Sequence, residues 1–562
     1  MLSASRFFLI SSLFSVIIVS NFTIYPFVVG KIIFFRAAVE LALLFFLFDI
    51  FKNSGNFLQR AKILFRQPIV IAITFFVICF SLAGIFGYDF QNSFWSNFVR
   101  GEGIFQMLHY YIFFLLLIFS IDDEKSWRKA FIYSLLAGLL MIILGLYPWL
   151  KNFTADSRFG GAIGNAAFAS SYLLFSLFYL GYLRWFYATP LVLFFLFFTG
   201  TRGTFLGLAT GVSLGGIYFI FSKLKYLKEN NLKKFRNWIL GFGILFGIWI
   251  LVFGFLFYLQ PFRIFQISLK EQTAQTRFWT WGSAWKGFME RPLLGWGPEN
   301  FSEVFNKYFD KRHAEQTTEV WFDRAHNTYI DYLTTTGILG LFSYLLIWII
   351  FYYQLFKSKV FGLERILFFS LPVAYLIQNL LIFETLPSYI NLFIFLAFSA
   401  YKFQITNHKI QTNNKFGIWS LGFVCFLVLG ASLYFGSYRP FIKSILINNA
   451  LAQVDKINSA EEFKNNFSKA IDYYSPYGQD EALKVTGSVM MDLLKKDLPR
   501  EVAVDLVNFL NDKYQPVLDR GRGNNFAQNY YILGKVNFLV GNKEEANKYY
   551  KTAFKIWPSR PE

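Results

Sequence analysis

The stretch Arg324-Ala325-His326-Asn327-Thr328-Tyr329 holds one of only four histidines in the chain, the others being His109, His313 and His408. A neutral imidazole with a pKa near ~6.5 is suited to taking a proton from an attacking hydroxyl. Asn327 is a polar neighbour able to orient the ring, and Arg324 adds positive charge two residues earlier. A lone histidine is more often structural than catalytic, so placement matters. His326 is predicted to start a short helix that becomes a membrane helix, at the membrane surface. Arg202 lies in Thr199-Gly200-Thr201-Arg202-Gly203-Thr204, a tight break between two apolar runs. An arginine at mid-membrane costs at least ~2.5 kcal/mol, so its position needs a reason. Threonine hydroxyls, backbone N–H groups and a guanidinium form an anion clamp suited to phosphate; a snorkelling interface anchor is the other reading. Arg277 stands at the N-terminal end of an amphipathic helix predicted over 274–290 and stopped by Arg291-Pro292. Trp279, Trp281 and Trp285 on that helix suit the lipid–water interface and equally suit stacking on sugar rings.

The elements carrying these residues follow from composition. The 562 residues are 55% hydrophobic and 21% aromatic, with 74 Phe and mean hydropathy +0.40. Charged residues make up 16%, against ~25% in soluble domains. This excludes a soluble enzyme, a disordered chain and a fibrous one, and predicts an all-α, polytopic transmembrane bundle. Thirteen apolar runs read as spans, at 7–29, 32–51, 68–88, 104–120, 131–150, 163–181, 185–200, 203–222, 238–258, 337–356, 366–385, 388–401 and 417–436. Those at 185–200 and 388–401 are short enough for one to be re-entrant. The first run lacks a small-residue cleavage site and reads as a retained span. Cys79 and Cys425 both sit in apolar runs, which excludes a disulfide framework or thiolate metal site.

The net charge of +19 would suggest nucleic acid in a soluble protein; here it points to cytoplasmic loops facing anionic lipid. Lys52, Arg60, Lys62 and Arg66 fill one loop, and six basic residues, from Lys223 to Arg236, fill 223–237. Lys357, Lys359 and Arg365, then Lys402, Lys409 and Lys415, fill two more. The alternate loops carry single charges at Lys31, Arg100, Lys151, Arg158 and Arg202. The bias predicts a cytoplasmic N-terminus and an extracytoplasmic C-terminus. The chain then divides into spans 1–9 (1–258), an extracytoplasmic helical loop with the chemistry-bearing motifs (259–336), spans 10–13 (337–436) and an extracytoplasmic helical tail (437–562).

The tail ends in Tyr530, Leu533, Gly534, Ala546, Tyr550, Ala553 and Pro558, a spacing that resembles the tetratricopeptide repeat. Gly541-Asn542 would be its inter-helix turn. A single repeat cannot bury its own face, so helices over 441–515 are expected to complete a short solenoid that docks a partner or glycan, or acts as a stabilising cap.

The Thr-Gly-Thr-Arg-Gly turn, the Arg277 helix with Pro292, Gly295 and Gly297, and His326-Asn327-Thr328-Tyr329 followed by Gly337-Ile338-Leu339-Gly340 resemble the O-antigen ligase / O-antigen polymerase superfamily. The loop Arg158-Phe159-Gly160-Gly161-Ala162-Ile163-Gly164-Asn165 resembles the one before that family's middle spans, and the likeness extends over roughly 70–400. The resemblance implies a multi-pass GT-C-type enzyme of the bacterial cytoplasmic (inner) membrane. It implies glycan transfer from undecaprenyl diphosphate to a lipid, glycan or protein hydroxyl outside the cytoplasm, with no metal or other cofactor. It places the general base on His326 and the diphosphate on Arg202 and Arg277, with Asn327, Arg324, Arg158 and Arg100 as supporting candidates. The repeat tail departs from the simplest ligases and leaves the acceptor open, so a polysaccharide polymerase or a protein O-oligosaccharyltransferase would use the same site. A transporter or flippase of lipid-linked sugars would instead need polar groups at mid-membrane depth, for which Glu40, Asp49 and His109 are the few candidates.

Overall fold

The computed structural model describes residues 2–52, 54–154, 157–224, 271–403, 419–457, 459–496 and 498–560. Among them the chain is helical throughout, with no strand. Among the described residues six helices are long and apolar enough to cross a membrane, with shorter apolar helices at Ser3–Ile17, Ile104–Ser120 and Phe186–Phe198. The predicted span 238–258, most of loop 223–237, and His408, Lys409 and Lys415 lie outside the described residues. The predicted first span, 7–29, is not one helix. It breaks after Leu2–Ser11 and the 3₁₀ turn Ser12–Ile17, where Ser20 N–H bonds Pro26 C=O at 3.0 Å and closes a turn before Val29–Lys52.

The chain forms two compact units. The first comprises Met1–Asp122, Thr276–Ile347 and Asn407–Glu562; the second comprises Asp123–Gln275 and Trp348–Thr406.

In the first unit, Asp89 caps the short Phe90–Trp95 helix, accepting from Gln91 N at 2.9 Å. Arg36 is fully buried, and four acceptors make that burial tolerable: Gln106 Oε1 at 2.7 Å, Gly436 O at 3.0 Å, Gly101 O at 3.1 Å and Tyr477 Oη at 3.2 Å. The guanidinium thereby ties the Val29–Lys52 helix to the loop beside Arg100 and to the C-terminal helices. Trp419–Ala431, a π-turn over Ser432–Tyr438 and Arg439–Ala452 follow without a break. The remaining C-terminal helices are Ala460–Asp472, Gln479–Leu493, Arg500–Arg520, Phe526–Leu539 and Lys543–Ile556. At Gly534 an added Cβ would lie 2.7 Å from the Tyr550 ring, so only glycine lets the last two helices pack this closely. Gly541, at φ +83°, makes the turn between them.

The Thr328–Lys357 helix kinks at Gly337, at φ 65°. A Cβ there would lie 2.3 Å from Leu293 O, so glycine is required twice over, by conformation and by space. The kink frees N–H groups, and segment 292–297 meets them: Ile338 N donates to Pro292 O at 2.9 Å. In return Gly297 N donates to Thr335 O at 2.8 Å and Trp296 N to Thr334 O at 3.1 Å. The Gly-Trp-Gly-Pro turn therefore splices the end of the 272–290 region to the root of a membrane helix.

In the second unit, the Arg202–Leu224 helix lies against Gly362–Gln378. A Cβ at Gly207 would meet Ala374 O at 2.2 Å, and one at Gly211 would meet Ser370 O at 2.6 Å. Small residues at four-residue spacing permit this approach where lipid supplies no hydrophobic drive. Asn391, buried in the Leu386–Lys402 helix, accepts from Tyr179 Oη at 2.9 Å, which satisfies both polar groups inside an aromatic core.

Candidate functional site

His326 adopts φ +52°, the left-handed region uncommon for a side-chain-bearing residue. Its neighbours hold it there. Trp281 Nε1 donates to Ala325 O at 2.8 Å, and Ala325 N donates to Asp331 Oδ1 at 3.2 Å. Asn327 Oδ1 accepts from Tyr329 N at 3.0 Å and Ile330 N at 3.1 Å, which makes it the N-cap of the helix starting at Thr328. That carboxamide oxygen, expected to orient the imidazole, is thus spent on fixing where the helix begins. The ring's Nδ1 faces Arg324 O at 3.3 Å. A carbonyl only accepts, so Nδ1 carries the proton and Nε2 of the neutral ring carries the lone pair. Burial first, then the positive charge of Arg277, lowers the His326 pKa to about 4. Half-buried Arg277 lies on the Gln272–Glu290 helix, which starts two residues from the sequence expectation and ends where predicted.

Carboxylates that the sequence reading did not single out organise the other arginines. Arg100 forks onto Asp323, at 2.5 Å from Nε and 3.0 Å from Nη2. Desolvation pushes the Asp323 pKa up, but Arg100, with Arg324 and His326 behind it, outweighs that and holds the carboxyl well below its usual range. Buried Arg324 bonds Glu299 and lies 4.0 Å from Asp331. Desolvation works against its charge, yet Glu299, Asp331 and Asp323 together raise its pKa above the ordinary value. Glu299 in turn accepts from Ser96 Oγ at 2.6 Å. The signal for these acids was present, Asp323 beside Arg324 and Glu299 in the Gly-Pro-Glu-Asn turn, but only the fold pairs them.

In the second unit, Gly200 at φ +58° shapes the turn before Arg202. Arg158 fastens that turn, donating from Nε to Thr199 O at 2.7 Å and from Nη2 to Thr201 Oγ1 at 3.0 Å. Arg202 itself pairs with the Glu271 carboxylate. The first unit thus gathers His326, Arg277, Arg100, Arg324 and Asn327, while Arg202 and Arg158 share the Thr199–Thr201 turn of the second. The second unit also contains an apolar cavity of about 560 Å³, bordered by Leu174, Phe178, Leu193, Phe205, Val212 and Leu371.

Other side chains of the loop, His313 among them, are buried in its core. Trp279 and Trp296 are buried, while Trp285 is exposed, at 56%. His313 is buried against Trp279, Phe305 and Phe322, with Nδ1 3.1 Å from Glu319 O. His109 pairs with Glu40 at 2.9 Å. Asp123, in the run Asp122-Asp123-Glu124, caps a helix by accepting from Ser126 N at 2.8 Å. Among the described residues no three His, Cys, Asp or Glu side chains gather as metal ligands.

Residues 187–345 match the family described as O-Antigen ligase, a stretch that contains Arg202, Arg277, Arg324 and His326. No curated protein matches the chain.

Proposed function

We propose that this chain, a protein of multiple apolar helices whose residues 187–345 are similar to O-antigen ligases, transfers a glycan from an undecaprenyl-diphosphate carrier to a hydroxyl acceptor outside the bacterial cytoplasmic membrane. The observation that carries this reading is the His326 ring within the matched segment, its Nδ1 3.3 Å from Arg324 O and its pKa lowered by burial and by Arg277. Nε2 takes the acceptor's O–H proton as the oxygen attacks the anomeric carbon. The bond from that carbon to the diphosphate oxygen breaks, and the lipid diphosphate leaves with the electron pair. Arg277 stabilises the charge it gains, which is where an oriented guanidinium contributes most. Within the second unit by itself, Arg202 is the other guanidinium the resemblance implies for a diphosphate, paired with Glu271, and the apolar cavity has the chemistry of a prenyl-chain pocket. No metal enters this scheme. Lipid, glycan and protein hydroxyls all satisfy it, so ligase, polymerase and protein oligosaccharyltransferase differ only in acceptor.

Purified protein incubated with an undecaprenyl-diphosphate-linked oligosaccharide and host envelope acceptors should release undecaprenyl diphosphate and form a new glycoconjugate. No release under any acceptor condition would return the field to the transporter or flippase reading. The scheme also fixes a side of the membrane. Reporter fusions after residue 300 and at the C-terminus are expected to read extracytoplasmic, following the basic-residue bias. A cytoplasmic signal from either would move the site away from the acceptor.

A further inference from the structure

Beside the His326 turn, the first unit has a half-open cavity of about 350 Å³ walled by three separate parts of the chain. Asn97, Val99 and Arg100 come from the loop after the Phe90–Trp95 helix, and Glu299, Ser302 and Trp321–Arg324 from the motif-bearing loop. Asn524, Asn525 and Gln528 come from the C-terminal helices. Its size falls in the ~300–1,000 Å³ range of small-molecule sites.

We propose that this cavity is a carbohydrate subsite, holding a pyranose unit of a glycan chain beside the reacting centre, and that the C-terminal helices exist in part to complete it. The inference rests on the transferase reading for its ligand class but adds a site and a role for the tail.

Charge comes first. The two arginines of the wall are matched by two carboxylates, Arg100 with Asp323 and Arg324 with Glu299. The lining is therefore close to neutral, which disfavours a phosphate and suits a hydroxyl-rich, uncharged ring. Hydrogen-bonding capacity points the same way. Asn524 and Asn525 direct their side-chain oxygens at Ser302 Oγ, 3.3 Å, and Asn306 Nδ2, 3.1 Å. Their amide NH₂ groups, and the whole Gln528 carboxamide, bond no protein group among the described residues. A carboxamide offers donor and acceptor side by side, the pattern that adjacent sugar hydroxyls match. The third feature is Trp321, 41% exposed, with Arg560 3.7 Å over its ring and Trp557 edge-on at 6.0 Å. A ring braced by its neighbours gives a fixed apolar surface for the C–H face of a pyranose.

The wall is preorganised. Glu303 accepts from Phe526 N at 3.0 Å and Trp557 Nε1 at 3.2 Å, and Arg560 donates to Asn306 Oδ1 at 2.5 Å and Val320 O at 3.0 Å. The cavity also adjoins the base. Phe322 borders it and meets the His326 ring edge-on at 5.5 Å.

The test uses full-length protein in detergent and saturation-transfer-difference NMR with two lipid-free probes. One is the oligosaccharide released by mild acid from the host's polyprenyl-diphosphate pool. The other is delipidated envelope glycan from cells lacking this chain. At least one probe should bind, with its Kd raised about tenfold by Trp321→Leu and by Gln528→Ala, and unchanged by His326→Asn. Binding of the first probe assigns the subsite to the donor glycan, and of the second to the acceptor. Gln528 makes no side-chain bond among the described residues, so its variant should keep the wild-type melting temperature even where Trp321→Leu loosens the docked helices. No binding by either probe, or unchanged Kd in Gln528→Ala, overturns the subsite. Binding without any transfer activity in wild-type protein overturns the transferase reading and leaves the subsite standing.

Discussion

Replacing His326 by alanine is expected to slow glycan transfer by ~10²–10⁴, the usual loss when a general base is removed, while the protein still inserts and still binds the lipid-linked donor. The left-handed backbone at this position complicates an alanine scan, because any change there also alters local strain. Asparagine tolerates φ > 0 and carries no titratable base, so His326→Asn separates the two effects. Both variants should be inactive, and His326→Asn should retain the wild-type melting temperature. His313 looks from sequence like the natural control in the same loop, with a mild effect expected on replacement. Its burial among aromatic rings changes that expectation: His313→Ala opens a cavity in the loop core and should read as lost stability. Normal transfer by His326→Asn would mean that the base is misassigned.

The second large effect concerns Arg277, where rate and pH dependence should move together. Loss of a guanidinium that holds the departing diphosphate typically costs ~10²–10³ in rate. Arg277 also lowers the His326 pKa, second only to burial. A base acts in its neutral form, so activity is present above the pKa and falls as pH drops through it. In kcat/KM, which reports the free enzyme, the acid limb should lie near pH 4 in wild type. In kcat it should lie higher, because the bound diphosphate brings negative charge that favours the imidazolium. Arg277→Ala should shift the kcat/KM limb upward towards the ordinary histidine range near ~6.5. Arg277→Lys keeps the charge but not the planar fork, so its rate should fall while its limb stays in place. An unmoved limb in Arg277→Ala would remove the electrostatic link between the two residues. The same depression bears on stability. The unfolded chain binds the His326 proton more readily, so this contribution is complete above the unfolded pKa and is lost as pH falls towards about 4.

Composition and local pattern were enough to predict an all-helical, membrane-type chain, because apolar runs near the length of a bilayer crossing are a one-dimensional signal. The same holds for the helix carrying Arg277, stopped near Pro292, and for the turn at Gly541-Asn542, where backbone chemistry acts within a few residues. What sequence misjudged was tertiary in origin. The expected span 7–29 is interrupted by a turn whose closing bond, Ser20 to Pro26, lies within an otherwise apolar stretch. Asn327 reads as a partner for His326, but an asparagine just before a helix finds a nearer use in the unpaired N–H groups of the first turn. Trp279 reads as an interface or sugar-stacking residue and is buried instead. The acids that neutralise Arg100 and Arg324 lie 223 and 25 residues away along the chain. Hydropathy and spacing report what a residue is and what lies within a few turns of it. Which charges end up adjacent, and so how far the His326 pKa moves, is set by long-range packing and by the desolvation that packing brings.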